Sequence, residues 1–116
     1  MPIIHVKTKQ VIASNCWEAK SIISRARGML LRKFSSDLDA MIFRKNNSIH
    51  MWFIEFPIDV VYISDGKVVK LVERLKPWSL SACKIAQDVI ELPTGTISKF
   101  DLCLDDKLAV IADTVI

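Results

Sequence analysis

Three glycines, two histidines and three cysteines are all that 116 residues provide of the types from which phosphate loops, metal sites and disulfide frameworks are built. Gly28, Gly66 and Gly95 each fall where a turn or a helix end needs one, so no glycine-rich loop remains to cradle a phosphate. His5, His50, Cys16, Cys83 and Cys103 lack the paired spacing of a zinc site, so neither a metal nor a cofactor is expected. An odd number of widely separated cysteines without C-x-x-C suits reduced, buried thiols. There is no G-x-S-x-G elbow to hold a nucleophile, although Cys16 or Cys83 beside His50 is conceivable. Apolar runs are broken every few residues, and Met1-Pro2 leads into a strand rather than a basic-then-apolar leader. A soluble, cytoplasmic protein with no membrane partner is expected.

What is present is an ordinary globular balance, 51% hydrophobic and 25% charged, without repeats or low-complexity segments. Residues 1–116 read as a single domain, able to bury roughly two-thirds of its unfolded surface. The net charge of +3 is unevenly spread. Residues 1–58 hold nine Lys and Arg against four acids, and residues 59–116 hold seven against nine. That polarity can steer an acidic partner, but it falls short of a nucleic-acid-binding composition.

The most strongly patterned stretch runs from Ser48 to Val72. Ile58–Ser64 and Lys67–Leu75 are β-branched-rich runs joined by Asp65-Gly66, a pair suited to a type I′ hairpin turn. With Ser64 opposite Lys67, Tyr62 should face Val69, Val60 should face Leu71 and Asp59 should face Val72. Ile58, Val60, Tyr62, Val69 and Leu71 then share a core face. Asp59, Val61, Ile63, Val68, Lys70, Val72 and Arg74 share the other. Upstream, Ile49, Met51 and Phe53 alternate with His50, Trp52 and Ile54 as an interior strand would, and Phe56-Pro57 turns the corner.

Elsewhere, Ile3–Val6 and Gln10–Ala13 suggest an extended segment or small hairpin. Ser21 to Gly28 has the period, cap and stop of a helix, with Arg25 and Arg27 in its last turn. Ala40–Phe43, Asp88–Leu92 and Leu108–Ala112 are strand candidates, Arg44–Asn47 a turn, and Lys76–Ser81 a loop. Pro93-Thr94-Gly95-Thr96 breaks a strand and starts a short helical turn carrying Ile97 and Phe100. The fold class is α+β, mainly β: a compact curved sheet or small barrel with one N-terminal helix and a short second helical turn.

Several blocks resemble a known family. Arg27-Gly28-Met29-Leu30-x-Arg32, Ser48-Ile49-His50, Phe56-Pro57-Ile58-Asp59-Val60, Asp65-Gly66-Lys67-Val68-Val69, Pro77-Trp78 and Glu91-Leu92-Pro93-x-Gly95-Thr96 are similar, in order, to those of the domain of unknown function 192 family. The resemblance implies a small β-rich domain with minor helices, from bacteria and archaea and sometimes exported. It brings no catalytic residue. The chain departs from the pattern at Ile54, at Glu55 where a basic residue is usual, and at Asp105-Asp106 where a glycine is lost.

The amphipathic residues nearest the central strands nominate a site. Arg32 at a rim, with His50, Trp52, Asp59 and Trp78, would line a pocket for a small ligand. Alternatively Asp59 closes a cross-strand ion pair with Arg74 or Lys70 and His50 bonds a backbone carbonyl. Trp17, Trp52 and Trp78 are core or half-buried packing unless they stack on sugars or bases. Arg25, Arg27, Arg32, Lys33, Arg44 and Lys45 are a solvated face or a phosphate-binding patch. The leading functional expectation is a β-rich accessory module that binds an unidentified small ligand or protein in a pocket near the Phe56-Pro57 corner. The second is a small hydrolase acting on a small molecule or carbohydrate, with Asp59 and His50 as acid-base groups.

Overall fold

The computed structural model describes residues 1–20, 33–51 and 54–112. The described strands are β1 (Ile3–His5), β2 (Val11–Ala13), β3 (Cys16–Glu18), β4 (Ala40–Arg44), β5 (Ser48–His50), β6 (Ile58–Ser64), β7 (Lys67–Leu75), β8 (Leu80–Ala82), β9 (Asp88–Pro93) and β10 (Leu108–Val110). The single described helix, α1, is the turn Thr96–Lys99. The helix expected from Ser21 to Gly28 lies outside the described residues. No described helix is long and apolar enough to cross a membrane.

β6 lies inside a five-stranded sheet of order β3-β4-β9-β6-β7, with β10-β1-β2 and β5-β8 as separate small sheets. Every pairing in the large sheet is antiparallel except β3 with β4. That parallel pair is positioned by Asp39, whose carboxylate accepts the amides of Ser14 and Asn15, each at 2.7 Å. Of the curved sheet or small barrel that was expected, the barrel is not formed: the described strands make three separate sheets. Among the described residues, the outer strands of the large sheet, β3 and β7, are linked to the three-stranded sheet by local contacts such as Cys16 N–H to Met1 C=O and the Lys67–Lys107 bridge. Of the interior strand expected before Phe56-Pro57, Trp52 and Phe53 lie outside the described residues, and the described part is corrected: β5 stops at His50 and pairs with β8 outside the large sheet.

Alternation along the strands builds two cores, one on each face. Ile42, Ala40, Val61, Ile63, Ile90 and Leu92 meet Ile3, Ile12, Ile97 and Leu108 on the first. Met41, Phe43, Ile58, Val60, Tyr62 and Val89 meet Leu38, Ile49, Met51 and Ile54 on the second. Every residue from Ile58 to Ile63 is buried, as expected of a strand covered on both sides.

The hairpin turn forms as its sequence demands, with φ of 52° at Asp65 and 76° at Gly66. Its register differs from simple alternation. Ser64 opposes Lys67 and Ile63 opposes Val68, but Tyr62 opposes Lys70, Val61 opposes Leu71 and Val60 opposes Val72. Val69 is therefore an inserted residue, a β-bulge that moves Leu71 to the first core and Val72 to the second. A second irregularity follows before Ile58 pairs with Leu75, and there Arg74 takes a φ of 52°.

Candidate functional site

Asp59 faces the first core and is wholly buried. Its Oδ1 accepts the Arg74 amide at 3.0 Å; its Oδ2 accepts those of Gly95 at 3.1 Å and Ile97 at 2.9 Å. Three otherwise orphaned N–H groups, one from the bulge in β7 and two from the start of α1, thus share one carboxylate. Gly95 supplies no side-chain cap of its own, so a strand residue 38 positions from Ile97 does that work. The expected ion pair is replaced by main-chain contacts: Arg74 meets Asp59 through its amide, and Lys70 donates to Ala82 C=O at 2.7 Å with its ammonium 5.7 Å from the Tyr62 ring. The bulge turned Lys70 to the Tyr62 side.

His50 is exposed on β5 and lines a shallow groove of about 420 Å³ with Ile49, Leu80 and Ser81. The β5-β8 ribbon covers the second core, whereas Asp59 faces the first, so the sheet separates the two residues nominated as an acid-base pair. Trp78 is 59% exposed and is held by its amide, which donates to Met51 C=O at 2.8 Å. Arg32 and Trp52 lie outside the described residues.

The other histidine is structural in its contacts. His5 Nδ1 accepts the Thr8 amide at 3.3 Å, leaving Nε2 to face Asp106 at 3.2 Å. Cys16 is buried, and that burial pushes its thiol up to about 12, the wrong direction for a nucleophile. Arg44 lies within 3.5 Å of both Glu18 and Asp88, so acids offset its charge. Among the described residues no three metal-ligating side chains converge.

A cavity of about 400 Å³ does open at the Phe56-Pro57 corner, lined by Lys33, Phe34, Phe56, Pro57, Pro93 and Thr94. Phe34 and Phe56 meet edge to face with ring centres 6.2 Å apart, a favourable aromatic geometry. Thr94 donates its hydroxyl to Pro57 C=O at 2.8 Å and pins the two rims together. Asp59, His50 and Trp78 are not among the lining residues.

Glu91 was not nominated from the sequence. It sits on β9 between Met41 of β4 and Val60 of β6, is 2% exposed, and its Oε2 finds no hydrogen-bond partner among the described residues. Desolvation pushes its carboxyl up to about 8, so it is largely neutral at pH 7. The available signal was alternation: Val89 and Glu91 share a face of a strand that is otherwise apolar apart from Asp88 at its start.

Comparison with known proteins gives the chain its relatives. The model of the DUF192 family, described as an uncharacterized ACR, matches residues 4–110. A UPF0127 protein of Pyrococcus abyssi is 34% identical over 104 residues, covering 79% of this chain and 86% of its own. A UPF0127 protein of Thermococcus sibiricus is 30% identical over 97 residues, with 78% of this chain covered but only 62% of the relative. The chain therefore spans less than two-thirds of that protein's length. Among solved structures, a protein of unknown function from Novosphingobium aromaticivorans shares the fold at TM-score 0.80 and 17% identity, covering 95% of this chain and 84% of that one.

Proposed function

This chain belongs to the domain of unknown function 192 family, whose relatives here are uncharacterised proteins, and we propose that it is a non-catalytic binding module for a small ligand with an apolar body. The observation that carries this reading is the corner cavity, in which, among the described residues, two phenylalanines and two prolines make the walls and Lys33 and Thr94 are the polar members. Apolar walls with few polar groups are the usual form of a small-ligand site. Lys33 is exposed at the rim, so an anionic substituent would be held there weakly.

Hydrolysis draws no comparable support. The Asp59 carboxylate is buried and committed to three amides, and a general acid or base must reach its substrate.

The test is a titration of the labelled protein with benzyl alcohol and with phenylacetate, followed by amide resonances. Saturable shifts confined to Phe34, Phe56 and Thr94 are expected for both probes, with Lys33→Glu weakening phenylacetate alone. Shifts scattered over the surface, or none at the corner at millimolar probe, would overturn the reading.

A further inference from the structure

Glu91, whose buried Oε2 has no hydrogen-bond partner among the described residues, lies on the strand whose last residue, Pro93, lines the corner cavity. Its cross-strand neighbours Met41 and Val60 belong to the second core, so Glu91 projects into that layer. Pro93, two residues along the same face and about 7 Å away by strand rise, lines the cavity itself. Phe34 and Phe56 both wall the cavity and pack against the layer that Glu91 enters. The aromatic pair is thus the common boundary of the two.

Buried polar atoms nearly always have partners, and an exception calls for a ligand, an ion or water. Among the described residues, the groups on the elements packed in this layer do not supply one. The Tyr62 hydroxyl donates to Ser81 Oγ at 2.7 Å, the Lys70 ammonium is taken by Ala82 C=O, and Cys83 is a partly buried thiol at the margin. Burial raises the Glu91 pKa, and among the described residues no positive charge is seen to offset it.

We infer that Glu91 is the recognition group of the corner site and that the ligand class is a small ammonium compound with an apolar body, its cationic end passing the Phe34–Phe56 pair to reach the carboxyl. This rests on the corner cavity being a binding site. The step balances simply: the neutral acid loses its O–H proton to solvent as the ammonium docks, leaving a carboxylate–ammonium pair. Two charges paired in an apolar layer satisfy each other where a lone one would not.

The experiment is calorimetry on the whole protein at pH 7 with benzylamine and benzyl alcohol, each in phosphate and in Tris. Because these buffers differ in ionisation enthalpy, the difference counts protons released. Benzylamine should bind the wild type with net release of most of a proton. In Glu91→Gln, which is neutral and nearly isosteric, release should vanish and affinity should fall roughly tenfold or more. Benzyl alcohol should bind both proteins alike, without proton release. Benzylamine binding without release, or unaffected by Glu91→Gln, overturns the inference. If benzyl alcohol still shifts the corner amides in that case, the binding-module reading survives alone; if neither probe does, both fall.

Discussion

Asp59 and Glu91 are buried carboxyls on paired strands of one sheet, one rung apart in register and on opposite faces. Asp59 meets three backbone amides. Glu91 has an oxygen that meets nothing described. Burial is the same for both, so the difference lies in what the opposing layer offers. The first core presents the start of a helical turn and the opened backbone of a bulge, both rich in unpaired N–H groups. The second presents side chains of Met, Val and Phe. A carboxyl held by amides is an organising element of the fold, whereas one buried without partners is driven toward neutrality.

The largest expected effect tests the first half of that contrast. Asp59→Ala strands three amides in a closed core and should cost roughly 3–5 kcal/mol in urea denaturation, with α1 losing exchange protection first. Asp59→Asn keeps one acceptor oxygen and should cost less. A loss under about 1 kcal/mol for Asp59→Ala would show that the amides find water, and the contrast would fail.

Next comes pH. Burial pushes the Glu91 carboxyl up to about 8 from its ordinary value of 4.5, so between those values the folded state binds more protons than the unfolded one. Stability from this group is therefore full below about 4.5, declines as pH rises through the window, and levels off above about 8. Glu91→Gln should abolish that decline, the two proteins diverging by roughly 2–4 kcal/mol between the ends of the window in favour of the variant. Parallel stability profiles would show Glu91 to be paired or wet.

The smallest effect concerns what covers Glu91. Tyr62→Phe deletes the bond to Ser81 Oγ and should cost about 1 kcal/mol. Amide exchange should rise in β5 and β8 while β6 and β9 stay protected. Uniform exchange across the sheet would mean that the ribbon is not an independent cover.

Much of this architecture was legible in the chain. Asp65-Gly66 dictates its turn, and Ala40–Phe43 and Asp88–Leu92 alternate as strands covered on both faces. The register beyond Ile63 was not legible, because nothing in Val68-Val69-Lys70 distinguishes an inserted valine from a paired one. β8 was hidden because Leu80–Ala82 is too short for periodicity and follows Pro77. Phe56-Pro57 pointed to the corner, yet its cavity draws Phe34 and Pro93 from segments that only tertiary folding brings there. Asp59 stood out as a charge among apolar neighbours, but its partners are main-chain groups, which no side-chain pattern reveals. Glu91 was concealed by its place in a family block that reads as a strand end.

The inserted Val69 and the left-handed Arg74 also bear on how molecules of this protein behave toward one another. An outer strand with regular spacing invites a neighbouring chain to add itself alongside and so begin a fibre. Here the nine-residue outer strand is bent twice and bridged at its start to Lys107, so a straight segment from another molecule cannot match its spacing for long. The irregularities that shifted the register double as protection against self-templated assembly at high concentration.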